Sequence, residues 1–412
     1  MRVVYLNPLG QMGGAEMSLM DLLVSMRAAK PLWQFSLVLG EDGPLVERAK
    51  AAGVQVIVAP FPRALARLGD SGGGPAGALW SCLKASFGTI RYALNLRRTL
   101  SELRPDIVHT NGFKMHVLGA WAHPKNAPVI WHIRDYVSTR PLMKRLLRMH
   151  ANRCAAAIGN SNSVASDIQT VCPQLPALCI YNAIDLERYS PSGEKTDLDA
   201  LAGLKPAPHG TVRIGLAATL AHWKGHAVFL RALARLPNEL PYRAYVIGGP
   251  IYQTENSQRT LHQLRALADE LGIADNVGFT GYVADTAGAI RALDILVHAS
   301  TQPEPFGRVI AEGMACGRAV ICSAAGGASE LITEGEDALA HPPGDDAILA
   351  QRMAELVRDP ELRARLGRTG RITAERRFER GRLAEEVIPL YQRLSGHSAP
   401  QPEPGLANAI GR

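Results

Sequence analysis

Two glutamates eight residues apart, Glu304 and Glu312, frame the stretch EPFGRVIAE, which runs on through small and apolar residues to the Gly-Gly pair at 326–327. Two carboxylates at the start of an otherwise apolar helix need a reason. The plain one is that Glu304 caps the helix and Glu312 lies on its solvent face. Other chemically capable residues close apolar runs. His109 ends PDIVHTN, and His132, Arg134 and Asp135 end the next run in WHIRD. Gly10, Gly13 and Gly14 separate the first apolar run from a helical pattern that contains Glu16. Free amides in such a loop can meet a phosphate at a helix N-terminus. The loop is not G-x-G-x-x-G, so a dinucleotide fingerprint fails. Lys224-Gly225 in AHWKGH opens another helix, where a lysine beside N-terminal amides suits a diphosphate. Asn182 and Asp185 in YNAID occupy a turn.

The elements that must position these residues are legible as a pattern. RVVYLN, FSLVLG, VQVIVA, DIVHTN, PVIWHI and AAAIGNS read as buried strands separated by helix-length segments. Near-continuous apolar strands alternating with helices predict an α/β chain with parallel sheets covered on both faces. The alternation pauses at 190–210, a stretch rich in Pro, Gly and charge that reads as a linker. It restarts with VRIGLAAT, YRAYVIGG, NVGFTGY, DILVHAS and AVICSA. The pattern predicts two facing Rossmann-like domains, 1–195 and 196–374, with a last helix at 375–395 returning to the first. Residues 396–412 read as a disordered tail, and the Gly-rich 67–77 as a mobile loop. Ligands of such sheets bind beyond the carboxyl ends of the strands, which predicts an active site in the interdomain cleft.

Composition narrows the function classes. With 47% apolar and 20% charged residues the chain reads as an ordinary globular protein, and 412 residues suit two large domains. No apolar run reaches the roughly 18–20 residues of a membrane span, and the first residues read as a strand rather than a leader. The six cysteines contain no C-x-x-C pair, which points to a reducing, cytoplasmic setting. Residues 1–195 hold 22 Lys and Arg against 13 Asp and Glu, whereas 196–412 hold 23 against 25. The basic excess includes Arg63, Arg67, Lys84, Arg91, Arg97, Arg98 and Arg104. Without interleaved aromatics or a recognition motif, this patch argues against nucleic acid. An amphipathic helix over 78–103 is expected among these basic residues; it is either core-facing or peripheral to an anionic membrane.

Taken together, GGAE (13–16), HIRD (132–135), NAID (182–185), WKG (223–225), EPFGRVIAE (304–312) and GGASE (326–330) resemble, in order and across nearly the whole chain, the motifs of the retaining glycosyltransferases of family 4. The resemblance implies the GT-B fold and transfer of a sugar from a UDP- or GDP-linked donor to a hydroxyl acceptor. It implies that Glu304 and His132 act at the transferred sugar. Gly13, Gly14, Lys224, the backbone of Pro305, Phe306 and Gly307, and Glu312 would hold the donor. Glu312 would accept from both ribose hydroxyls. The acceptor or sugar side would fall to Glu16, His109, Arg134, Asp135 and Asn182.

The chain departs from the family where an arginine usually precedes Lys-Gly as a second diphosphate cation. Here Thr219 occupies that place, with Arg308 and His222 as candidate replacements. No Asp-x-Asp ends a strand, so no metal and no cofactor are expected. The expected setting is cell-surface polysaccharide or glycolipid assembly, with a lipid-linked acceptor at the cytoplasmic membrane face as one option. The alternative is a non-catalytic nucleotide-sugar binder or scaffold of the same fold. Epimerases share the fold but not this motif order, and phosphorylases use a lysine-bound pyridoxal phosphate on much larger chains.

Overall fold

The computed structural model describes residues 1–62, 75–249 and 259–396, and only the backbone of 75–87. The glycine-rich loop at 67–74, Arg63, Arg67 and the tail at 397–412 lie outside the described residues. So does the side chain of Lys84.

Each half of the chain builds a parallel sheet. In the first, β1 (Arg2–Asn7), β2 (Gln34–Leu39), β3 (Gln55–Val58), β4 (Ile107–Asn111), β5 (Val129–Ile133), β6 (Ala156–Gly159) and β7 (Ala177–Cys179) lie in the order β3-β2-β1-β4-β5-β6-β7. In the second, β8 (Val212–Ala217), β9 (Tyr242–Ile247), β10 (Val277–Gly281), β11 (Ile295–His298), β12 (Ala319–Ser323) and β13 (Leu339–His341) lie in the order β10-β9-β8-β11-β12-β13. The strand order reverses between β1 and β4 in one sheet and between β8 and β11 in the other. Such reversals open crevices at the strands' carboxyl ends. The apolar runs read from sequence form the central strands because both faces are buried. The two three-residue edge strands β7 and β13 have too little pattern to be read from sequence.

Helices cover both faces of each sheet. The helix Gly14–Ala29 follows β1, and Phe113–Ala122 follows β4. The predicted amphipathic helix is found at Pro75–Leu103. Its Tyr92, Leu96 and Leu100 face the first core at a spacing of four, while Ile90 and Leu94 stand exposed.

The crossings between domains differ from the sequence expectation in detail. Ile184 pairs with Glu379, and Ile184 and Tyr189 already pack in the second domain's core. The first crossing therefore precedes residue 195. Residues 375–378 close the helix Pro360–Phe378, and the returning helix is Arg382–Ser395. It buries Leu383, Val387, Leu390 and Tyr391 against β1 and the helix Gly14–Ala29. The break falls at Glu379–Gly381 because the chain there stops helical pairing to bridge Ile184. Leu390→Ala should cost about 2–4 kcal/mol in chemical denaturation, the usual penalty for such a core truncation. A loss below about 0.5 kcal/mol would show that this helix is not part of the first domain's core.

Candidate active site

A cavity of about 630 Å³ lies between the domains, at the carboxyl ends of both sheets. Its second-domain wall is built on Glu304. This carboxylate is 7% exposed, and it accepts from Lys224 Nζ at 2.8 and 3.0 Å and from Ser300 Oγ at 2.8 Å. His298 Nε2 lies 3.3 Å from the same group. Burial opposes ionisation, but the Lys224 ammonium and His298 outweigh it and hold the carboxyl well below its ordinary range. Lys224 also stands over the Trp223 ring, 3.9 Å from its centroid. Pro305, Phe306 and Gly307 line the cavity beside it. Gly225 follows this lysine at a left-handed φ of 76°, and a Cβ there would meet Ala299 O at 1.8 Å. Only glycine lets the turn press against the end of β11.

Glu312 lies on the helix Arg308–Ala315, one wall further on. Arg308 Nε reaches it at 3.3 Å, and Arg308 Nη1 crosses the cleft to Asp21 at 2.9 Å and Ser18 Oγ at 3.0 Å. Burial raises the Glu312 and Asp21 carboxyls above their ordinary values, with Arg308 opposing. A buried guanidinium between two carboxylates thus ties the two domains together. It leaves Arg308 committed, and Thr219 lines the cavity without a cation of its own. His222 is exposed and outside the cavity lining. Arg188 lines the cavity close to Glu312 and is another cation that sequence reading passed over.

The first-domain wall carries Gly13, Gly14, Arg134, Asp135 and Asn182. Gly13 has an ordinary extended φ of −107°, and a Cβ on Gly14 would find nothing nearer than Arg308 Cδ at 4.0 Å. Neither backbone strain nor packing demands Gly14, so the glycine leaves room beside the amides of the first helical turn. The Gly13 amide itself donates to Glu16 Oε2 at 3.2 Å. That contact makes Glu16 a helix cap: it is buried and absent from the cavity lining.

Arg134 is the hub of this wall. Its Nε donates to Asn111 Oδ1 at 2.7 Å, Nη1 to Asn182 Oδ1, and Nη2 approaches His132 Nδ1 at 3.3 Å. Asp135 instead turns to Arg140 at 2.6 Å. His132 is 2% exposed and behind the lining, and its Nε2 has no partner. His109 lies deeper, fully buried between His132 and Tyr391 of the returning helix. The structure therefore brings the motif positions to one cleft only in part: His132, His109 and Glu16 all lie behind its lining.

Neighbours of the candidate site differ in how much sequence signal they carry. His298 and Ser300 close the run DILVHAS, and the strand-end rule would have found them. Asp21 sits in an ordinary amphipathic helix and had no signal. Glu330 accepts from the amides of Asn162 and Ser163 at 2.8 and 2.7 Å, so the GGASE loop caps a first-domain helix across the cleft.

The depressed Glu304 carboxyl has a pH consequence. Its contribution to stability is complete above the ordinary glutamate value of about 4.3 and is lost as pH falls through the lower folded value. The melting temperature of the wild type relative to Glu304→Gln should thus be highest near neutrality and shrink in acid. A difference that grew in acid would contradict the ion-pair assignment.

Both halves of the chain match known families. Residues 44–188 match the profile of Glycosyltransferase Family 4, and residues 205–373 that of Glycosyl transferases group 1. LpsD of Rhizobium meliloti, a lipopolysaccharide core biosynthesis glycosyltransferase, is 36% identical over 170 residues, 41% of this chain and 46% of that one. The chain spans about half the length of LpsD and of two further curated glycosyltransferases that it matches at 33% identity. The lipopolysaccharide core biosynthesis mannosyltransferase LpsB of the same organism is 27% identical over 303 residues, covering 66% of this chain and 82% of that one. Among solved structures, Anabaena HepE in complex with UDP superimposes with a TM-score of 0.76 at 24% identity, covering 95% of this chain and 100% of that one. That likeness is one of fold.

Proposed function

We propose, from the premise that the chain belongs to the GT-B glycosyltransferases, that it transfers a sugar with retention from a nucleoside-diphosphate sugar to a hydroxyl acceptor. The observation that carries this reading is the pairing of an ionised, buried Glu304 with Lys224 at one sheet's switch point, facing Gly14 and Arg134 at the other's. Lys224 and the first-turn amides sit where a diphosphate would gain charge as it leaves. No metal is required in this scheme. Glu312 would take the ribose hydroxyls once Arg308 shares it. The solved neighbour with bound UDP supports a nucleotide as ligand for this fold.

Retention then proceeds on one face of the sugar. The bond from the anomeric carbon to the diphosphate oxygen breaks, the acceptor oxygen bonds to that carbon from the same side, and its proton passes to the departing phosphate oxygen. A double displacement needs a free carboxylate on the opposite face. Glu304 does not supply one, because Lys224, His298 and Ser300 already occupy its oxygens. The missing cation at Thr219 favours one second reading, a non-catalytic donor-binding protein. Donor binding with neither transfer nor hydrolysis would establish it.

The acceptor side is proposed to work at an anionic membrane on the cytoplasmic face. Ile90 and Leu94 are exposed beside Arg91, Arg97 and Arg98, and Leu142 and Met149 beside Lys144, Arg145 and Arg148. The helices Pro75–Leu103 and Pro141–His150 both pack against Phe113–Ala122 and so belong to one side of the first domain. Basic residues around exposed apolar ones suit a peripheral contact. Among the described residues no helix is long and apolar enough to cross a membrane. The curated relatives in lipopolysaccharide core biosynthesis support a lipid-linked or polysaccharide acceptor.

A thermal-shift panel of UDP- and GDP-sugars, with and without a chelator, tests the donor reading. One nucleotide family should raise the melting temperature irrespective of chelator. Glu312→Ala should abolish the shift, whereas Glu304→Gln and His132→Ala should keep it and lower turnover at least about tenfold, one charged or neutral hydrogen bond each. Full transfer by all three variants would sink the assignment. For the membrane reading, the protein should sediment with vesicles rich in anionic lipid at low salt, and the double variant Ile90→Ser/Leu94→Ser should not. Equal sedimentation of both, or of neither, would rule out that surface as a membrane contact.

A further inference from the structure

The donor reading leaves one buried chain of polar groups unused. Tyr5 on β1, Tyr391 on the returning helix, His109 on β4 and His132 on β5 form a continuous line. Tyr391 Oη lies 3.2 Å from Tyr5 Oη and 2.7 Å from His109 Nδ1. His109 Nε2 lies 3.1 Å from His132 Nδ1. All four side chains are buried, at 0–2% exposure. The line ends at His132 Nε2, a buried atom with no partner. A buried polar atom left unpaired is costly, and this one lies just behind the lining of the cleft, beside the lining residue Arg134.

Two protonation patterns are possible along this line, and one neighbour selects between them. Burial is the largest influence on both imidazoles, with the Arg134 charge adding to it, and it holds each well below its ordinary value. Each ring is therefore neutral and carries one proton. Burial likewise raises both phenols, so each keeps its proton. Between two neutral rings, one nitrogen donates and the other accepts. If His132 Nδ1 carried the proton, it would face the Arg134 Nη2 donor at 3.3 Å with hydrogen against hydrogen. An arginine cannot reverse that polarity, since it only donates. His132 Nδ1 is thus the acceptor, shared by Arg134 and His109. His109 then holds its proton on Nε2 and accepts at Nδ1 from Tyr391, whose one proton takes this 2.7 Å contact rather than the 3.2 Å one to Tyr5.

We propose that Tyr391 and His109 are positioning residues that, with Arg134, hold His132 as the Nε2–H tautomer and so present a fixed hydrogen-bond donor to an oxygen of the transferred sugar. The inference rests on the reading of His132 as a sugar-side group. It also assigns the returning helix a role beyond packing. Tyr391 lies far along the chain, and the second interdomain crossing brings it against β1 and β4. Completion of the C-terminal helix is thereby coupled to the hydrogen-bonding polarity of a site residue on the first domain. A third neighbour, His116, is tied off by Thr110 Oγ1 and does not join the line.

The test has two independent arms. In the first, the full-length protein labelled with ¹⁵N-histidine is examined by long-range ¹H–¹⁵N correlation near pH 7, with His132→Asn and His109→Gln used to assign the two rings. Both rings should show a protonated Nε2 and an unprotonated Nδ1. A protonated Nδ1 on His132 overturns the proposal whatever the activity is. In the second, transfer rate and nucleoside-diphosphate affinity are measured for His109→Leu, His109→Gln and Tyr391→Phe. A glutamine at 109 can donate from its amide nitrogen and accept at its oxygen, so it preserves the polarity of the line. His109→Leu and Tyr391→Phe should lower the transfer rate about tenfold, the worth of one hydrogen bond, with nucleotide affinity unchanged. His109→Gln should stay within about threefold of the wild type. Equal losses in His109→Gln and His109→Leu, or a parallel loss of nucleotide affinity, would mean that the line only packs the core. If no variant, the wild type included, transfers sugar, the tautomer measurement still decides the relay while the transfer reading fails on its own.

Discussion

The burial of an ionised Glu304 is the constraint around which the cleft is organised. A carboxylate removed from water needs a charge and a full set of hydrogen bonds, or it takes up a proton. Lys224, Ser300 and His298 meet that need from the start of one helix and the end of one strand in the second domain. Their convergence fixes the turn at Gly225, the end of β11 and the entry to the helix Arg308–Ala315. The same demand explains why the loop at 304–307 carries so little freedom: Gly327 lies so close that a Cβ there would meet Pro305 O at 2.0 Å. The cation that suits a diphosphate is thus held in place, before any ligand arrives, by the carboxylate beside it.

A second layer of charge joins the domains. Arg308 spans Asp21 and Glu312, Glu330 caps the helix Asn162–Val171, and Tyr136 Oη receives the Gly327 amide at 3.3 Å. These contacts lie on both sides of the cavity and describe a closed arrangement. A ligand that draws Glu312 toward a ribose competes with Arg308 for that carboxylate. On the proposed donor reading, donor binding and domain closure would draw on the same groups.

Much of this was legible in the sequence because it follows from periodicity and strand ends. The α/β alternation marked both parallel sheets, whereas the stretch at 190–210 read as a linker lies past the first crossing, since Ile184 and Tyr189 already pack in the second core. The motif residues on the second domain, Lys224, Glu304 and Glu312, face one cavity. What escaped had no local signature. Asp21 looks like any polar residue of an amphipathic helix, and its partner is 287 residues away. His109 lies at the middle of its strand, two residues short of the end level with His132, and Tyr391 covers it, a cover that depends on a tertiary crossing. Glu16 read as a site residue through the resemblance of GGAE to the family motif, whereas its carboxylate returns to the Gly13 amide. Strand-end position predicts proximity to the cleft; which atoms remain free within it is settled by partners far away in the chain.

The most direct measurement of the central claim is a crystal structure of the protein soaked with a nucleoside diphosphate. Difference density is expected between the two sheets, with the diphosphate within hydrogen-bonding distance of Lys224 Nζ and the ribose hydroxyls on Glu312. Density at another surface, or a nucleotide bound in the cleft with Lys224 still paired only to Glu304 and Glu312 only to Arg308, would contradict it.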